Sequence, residues 1–166
     1  MLSFILLILV SVSAVVTFPS GPPTSACEDM TPMHSAESQP GRAPYDVNVN
    51  VPTYSPGQQL QVSIASSSGE IFKGFMIQAR DEANTVVGTW TNLPTLTKHM
   101  TCSYGNSTVS HSDRLNVVEA SMTWQAPDQN VGNVVFVATI VRNFQGGDPT
   151  TSLFWTGVTS GVLTPE

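Results

Sequence analysis

The residues with chemical potential in this sequence are few. His111-Ser112-Asp113 has the side-chain types of a nucleophilic relay. Neighbouring residues on a strand point to opposite faces, so these three cannot form a relay among themselves. The surrounding sequence has no nucleophile-elbow pattern. We read them as the polar end of a strand and assign no catalytic residue. His34, His99 and His111 match no His-x-x-x-His or Cys-x-x-Cys spacing. Met30, Met33 and His34 lie close enough to suggest a soft copper site. Methionine more commonly fills gaps in packing, so no metal and no cofactor is expected. Haem, flavin and metal motifs are lacking, and the chain is not expected to be an enzyme.

Cys27 and Cys102 are the only cysteines. In an oxidising compartment such a pair is expected to join, tying the N-terminal segment to the middle of the domain. Free thiols or an intermolecular bridge are the alternatives. Without the bridge, residues 24–44, rich in Pro, Ser and Gly, would be poorly held. Asn106-Ser107-Thr108 is a glycosylation acceptor pattern in a turn-like setting. Lys73 and Arg80 flank an apolar segment. They are candidate contacts for an anionic ligand, or else ordinary solvated strand charges. Trp155, beside Phe154, is a candidate for an exposed binding edge, or for sheet-edge packing.

The totals bound what can carry these groups. The chain has 166 residues, 40% of them hydrophobic and 11% charged, with a net charge of −6. That length suits one domain with a sizeable core. Lys73, Arg80, Lys98 and Arg114 are scattered rather than clustered, so neither nucleic acid nor an anionic membrane is an expected partner. The N-terminus reads MLSFILLILVSVSAVV, a short apolar run followed by small residues. This is a signal-peptide pattern, with cleavage expected after Ala14 and Thr17 or Phe18 as later alternatives. It is short for a membrane span, and no second apolar run of spanning length follows. The expectation is an exported, extracellular protein without a membrane span.

The rest of the chain alternates with period two. Tyr45, Val47, Val49 and Val51 share one face, as do Leu60, Val62 and Ile64. Ser55-Pro56-Gly57 is a turn. Phe75, Ile77 and Ala79 share a face that Lys73, Met76, Gln78 and Arg80 need not. Short strands are expected over residues 86–91 and 97–103. Another places Val118, Ala120, Met122 and Trp124 together. Residues 134–141 are apolar on both faces, as in a sheet interior. Residues 145–149 form a loop, and residues 153–156 and 158–163 supply the last strand. No helix-period run of useful length occurs. The pattern predicts an all-β fold with two facing sheets that bury Tyr45, Phe75, Trp90, Trp124 and Phe136.

Several segments, in order, carry a resemblance. They are Ser20-Gly21-Pro22-Pro23 through Cys27-Glu28-Asp29-Met30-Thr31-Pro32-Met33-His34, Pro44-Tyr45, and Tyr54-Ser55-Pro56-Gly57. Phe72-Lys73-Gly74-Phe75-Met76-Ile77-Gln78-Ala79-Arg80, Thr101-Cys102, Val109-Ser110-His111-Ser112, Trp124-Gln125-Ala126-Pro127 and Phe154-Trp155 complete the set. Together they resemble reeler (reelin-type) domains over residues 20–163. The resemblance implies a single immunoglobulin-like antiparallel β-sandwich. Such domains open reelin and F-spondin, precede the redox domains of ferric-chelate reductase-like membrane proteins, and stand alone in secreted insect defence proteins of the noduler-like kind. This chain stops where the domain stops and looks like the stand-alone group. The function this implies is innate defence, recognising microbial surface glycans or lipopolysaccharide without catalysis. An extracellular matrix or adhesive role is the alternative.

Overall fold

The computed structural model describes residues 20–32, 36–144 and 150–166. The expected leader, Met33, His34 and the loop at 145–149 lie outside them. The described strands are β1 (Tyr45–Val49), β2 (Thr53–Tyr54), β3 (Gln59–Ser66), β4 (Gly74–Asp81), β5 (Thr89–Thr91) and β6 (Thr97–His99). They continue with β7 (Thr108–His111), β8 (Glu119–Gln125), β9 (Val134–Asn143), β10 (Leu153–Thr159) and β11 (Thr164–Pro165). A four-stranded sheet runs β1-β3-β8-β5 and a five-stranded sheet runs β10-β9-β4-β7-β6. Pairing within both sheets is antiparallel. β2 and β11 form a small parallel pair. The all-β sandwich read from the alternation is the observed fold.

The core lies between the sheets. Leu60, Val62 and Ile64 of β3 and Ala120, Met122 and Trp124 of β8 face Phe75, Ile77 and Ala79 of β4 and Phe136, Ala138 and Ile140 of β9. All five aromatics expected inside are buried. Trp124 meets Phe136 edge-on at 5.2 Å, a favourable arrangement for aromatic quadrupoles. The buried indoles are also hydrogen-bonded: Trp90 Nε1–H donates to the Ser107 carbonyl and Trp124 Nε1–H to that of Val87.

Some boundaries differ from the sequence reading. Val118 is exposed rather than aligned with Ala120, because its neighbour Val117 bridges to Phe72 and β8 starts only at Glu119. The strand expected over 97–103 ends at His99, and Cys102 makes only an isolated bridge to Gly105. The last strand is continuous from Leu153 to Thr159, with Leu163 in a separate bridge to Val134.

The largest departure is on the outer face of β4. The sequence reading left Met76, Gln78 and Arg80 free to face solvent, yet all are buried. The N-terminal segment lies across them as a strap. Ala26, Cys27, Met30, Met76, Met100 and Cys102 make a second apolar cluster, with Val137 against it. Cys27 and Cys102 are bonded, with Cα atoms 5.9 Å apart. Thr139 Oγ1 donates to the Met30 carbonyl at 2.6 Å, and Gln78 Nε2 to that of Cys27 at 2.9 Å. The strap is therefore held by hydrogen bonds as well as by the bridge.

Tyr45 anchors β1 beneath the sandwich edge. Its hydroxyl donates to the Ile71 carbonyl at 3.0 Å, and burial pushes its pKa up from 10.0 to about 12. Arg142 and Glu70 modify this in opposite senses. A raised folded-state pKa means that the neutral hydroxyl stabilises the fold fully below the ordinary value of 10.0, and that this is lost as pH rises through about 12. Tyr45→Phe should cost about 1 kcal/mol at neutral pH. That deficit should shrink, then reverse, between pH 10.0 and about 12. Urea midpoints of both proteins across this range check it. A constant difference would show that Tyr45 does not ionise there.

Candidate functional site

The residues proposed for anionic contact do different work. Arg80 is a structural residue, and its guanidinium donors are spent internally. Nε and Nη2 donate to Gln78 Oε1, Nη1 to Asn84 Oδ1 at 2.9 Å and to the Asn84 carbonyl, and Nη2 to the Glu28 carbonyl at 2.6 Å. It is 9% exposed because the strap covers it. Its charge is therefore turned to these internal partners and not, as the sequence suggested, to a ligand at the surface. Lys73 is half-buried, and its Nζ donates to Asn143 Oδ1 at 2.7 Å across to β9. The structure does not bring Lys73 and Arg80 together, since they lie at opposite ends of the segment that bears β4.

His111 closes β7, where its Nδ1 accepts from the Phe75 amide at 3.2 Å. A side chain at Gly74 would strike the ring, with a Cβ 2.7 Å from Cε1. Ser112 uses its amide on the Leu96 carbonyl, and Asp113 Oδ1 accepts from the Arg114 amide. These are turn contacts rather than a relay. His99 Nε2–H donates to the Trp90 carbonyl at 2.8 Å. Among the described residues, no group of three His, Cys, Asp or Glu is placed to hold a metal ion. Asn106 is exposed on the turn before β7, and its carbonyl accepts from the Trp90 amide. Ser107 and Thr108 are buried beneath it.

A concave feature lies where β1 and β10, edge strands of opposite sheets, come together. Tyr45 and Trp155 meet there edge-on at 5.6 Å. The groove, of about 280 Å³, is lined by residues that include Arg42, Tyr45, Asp46, Trp155, Thr156 and Thr159. A bulge shapes it. β10 pairs Trp155 with Ile140 and resumes at Val158 with Ala138, so Thr156 and Gly157 oppose Thr139 alone. Gly157 has φ +65°, a conformation that glycine adopts without strain. Ser38 Oγ accepts from the Thr156 amide at 3.1 Å, and the Gln39 amide donates to the Phe154 carbonyl. These contacts cover part of the β10 edge and leave Trp155 half-buried beside the groove. Arg42 and Asp46 pair at 3.0 Å on the rim, Arg42 well exposed and Asp46 half-buried. Sequence reading named Trp155 but not Arg42, Asp46 or Thr159, which the packing of β1 beside β10 brings to one groove. A second hollow of about 570 Å³ lies over the bridge, lined by residues that include Glu28, Cys102 and Tyr104.

Comparison with known proteins places this architecture. The Reeler domain family model matches residues 25–166. The chain belongs to the Reeler domain family. As a reeler domain it is 30% identical over 165 residues to "Putative defense protein 3" of Antheraea mylitta, covering 99% of this chain and 96% of that one. It is 31% identical over 169 residues to "Putative defense protein Hdd11-like" of Samia ricini, at 98% and 96% coverage. It also matches Ferric-chelate reductase 1 of Bos taurus at 30% identity, covering 95% of this chain but only 26% of that protein. Among solved structures, the Reelin-N domain of F-spondin aligns with TM-score 0.65 at 19% identity, over 86% of this chain and 97% of that one. That likeness extends to the fold.

Proposed function

We propose that this reeler domain is an exported defence protein that recognises microbial surface polymers without catalysis. The carrying observation is its end-to-end similarity to insect proteins named for defence, where the reductase relative shares only this domain. The bonded cysteines suit an oxidising compartment. No helix among the described residues is long and apolar enough to cross a membrane. In this reading residues 1–14 are the leader and residues 20–163 the working domain. Asn106, exposed on its turn, then carries a glycan. The mass of the secreted protein before and after N-glycosidase treatment reads that modification.

The test is direct. Purified secreted protein should sediment with bacteria or fungi and bind their isolated wall polymers at micromolar concentration. No binding across a panel of glucans, peptidoglycan and lipopolysaccharide would reject the recognition role. An extracellular matrix role would then be favoured if the protein instead adhered to matrix preparations.

A further inference from the structure

We infer that the β1–β10 groove is a subsite for a neutral pyranose unit of a polysaccharide, with Trp155 as its stacking wall. This deepens the proposed recognition role and rests on it. Three observations carry it. The groove, about 280 Å³, is at the small end of ligand sites, which begin near ~300 Å³. It suits a ring-sized unit rather than a whole polymer. Trp155 is half-buried, and its edge-on contact with buried Tyr45 fixes its plane. A fixed, partly exposed indole offers an apolar surface with little ordering cost on binding. Beside Ala43 and Val158 the lining carries polar groups: Thr159 supplies a hydroxyl, Thr156 a hydroxyl oxygen whose proton goes to Ser38, and Arg42 and Asp46 a donor fork and an acceptor. A sugar carries both matching features, apolar C–H groups and a ring of hydroxyls.

The charge of the ligand follows from the ion pair. Arg42 and Asp46 neutralise each other at 3.0 Å, so the groove presents no net positive charge. The chain as a whole carries −6, which disfavours polyanions at long range. Of the two cations expected to meet an anion, Arg80 is committed to Gln78, Asn84 and Glu28, Lys73 donates to Asn143, and neither lines the groove. Asp46 also belongs to the outer face of the four-stranded sheet, since Tyr45 and Val47 beside it point inward. That face carries Asn48, Gln61, Ser63, Ser121 and Thr123 together with the carboxylate of Glu119, in register with Asp46 across β3, so a chain leaving the groove along it meets amides, hydroxyls and negative charge but no cation from these strands.

Titration of the wild-type protein with a neutral glucose oligosaccharide, followed by the indole N–H signals in NMR, tests the inference without a variant. Trp90 and Trp124 are fully buried and bonded internally, so their signals report on folding. The Trp155 signal should move while those two stay. Trp155→Ala and Arg42→Ala should each weaken binding about tenfold, judged on protein whose Trp90 and Trp124 signals are unchanged. Raising salt should leave affinity nearly constant, in contrast to a charge-driven contact. If the protein binds microbial polymers while Trp155 stays still and Trp155→Ala binds as wild type, the groove is overturned and the recognition role stands. Affinity that collapses with salt and favours lipopolysaccharide over neutral glucan overturns it too. Binding to no polymer at all removes the recognition role itself.

Discussion

Replacing Cys27 and Cys102 together with serine is expected to lower the unfolding free energy by about 4 kcal/mol. The cysteines are 75 residues apart in sequence. Cross-linking them removes many open conformations from the unfolded chain, and the chain-entropy relation gives that figure for a loop of such length. The melting temperature should fall by about 10 °C. The sandwich should still form, because its main core between the sheets does not include the strap. What should loosen first is the strap, left to hydrogen bonds from Thr139, Gln78 and Arg80. Guanidinium midpoints of the double variant and of reduced wild type should agree. A loss below about 1 kcal/mol would mean that the unfolded ensemble is already restricted, so that closing the loop constrains little.

Arg80→Leu is expected to cost about 3 kcal/mol. The substitution keeps much of the aliphatic volume but leaves Gln78 Oε1 without its donor inside the protein. Gln78 is fully buried, so water does not readily replace the lost bonds. The Glu28 carbonyl and Asn84 Oδ1 lose partners as well, closer to solvent. Arg80→Lys should fall between the two, since one ammonium cannot reach Gln78, Asn84 and Glu28 with the geometry of a planar fork. Because Arg80 and the bridge hold the same strap, their effects should not add, and the Arg80→Leu cost should differ in the serine background. Urea denaturation of the four proteins in that cycle gives the coupling. Equal stability of Arg80→Leu and wild type would show that the internal contacts contribute nothing net.

The same side chain marks the limit of what the sequence discloses. Alternation is a local signal, and it locates β1, β3 and the inward face of β4 because those faces meet the main core. β9, apolar on both faces, is correctly read as interior, since it lies between β10 and β4. Alternation sets Gln78 and Arg80 off the core face and no more, and polarity in such a place usually reports water. Here it reports partners brought by a segment some fifty residues upstream, with separations of 51 to Cys27 and 52 to Glu28. Cys27 was the available hint that this segment is tied down, but nothing in its neighbours specifies what it covers. The groove was legible only in part. Trp155 stands out by type, and Gly157 within an apolar run is a bulge signal. Read as a break, that glycine split one strand into two. Arg42, Asp46 and Thr159 come together only through packing of edges from different sheets.

The strap also gives the molecule a blind side. A β-sandwich ordinarily has two broad outer surfaces on which a neighbour could settle, and here one of them is occupied by the chain's own beginning. A partner that settles on bare strands finds them on the opposite surface or along the rims, while the covered flank offers only the strap and the hollow over the bridge. If many copies were to coat a particle through those bare strands, each would turn the same flank inward and leave its bridged flank facing away.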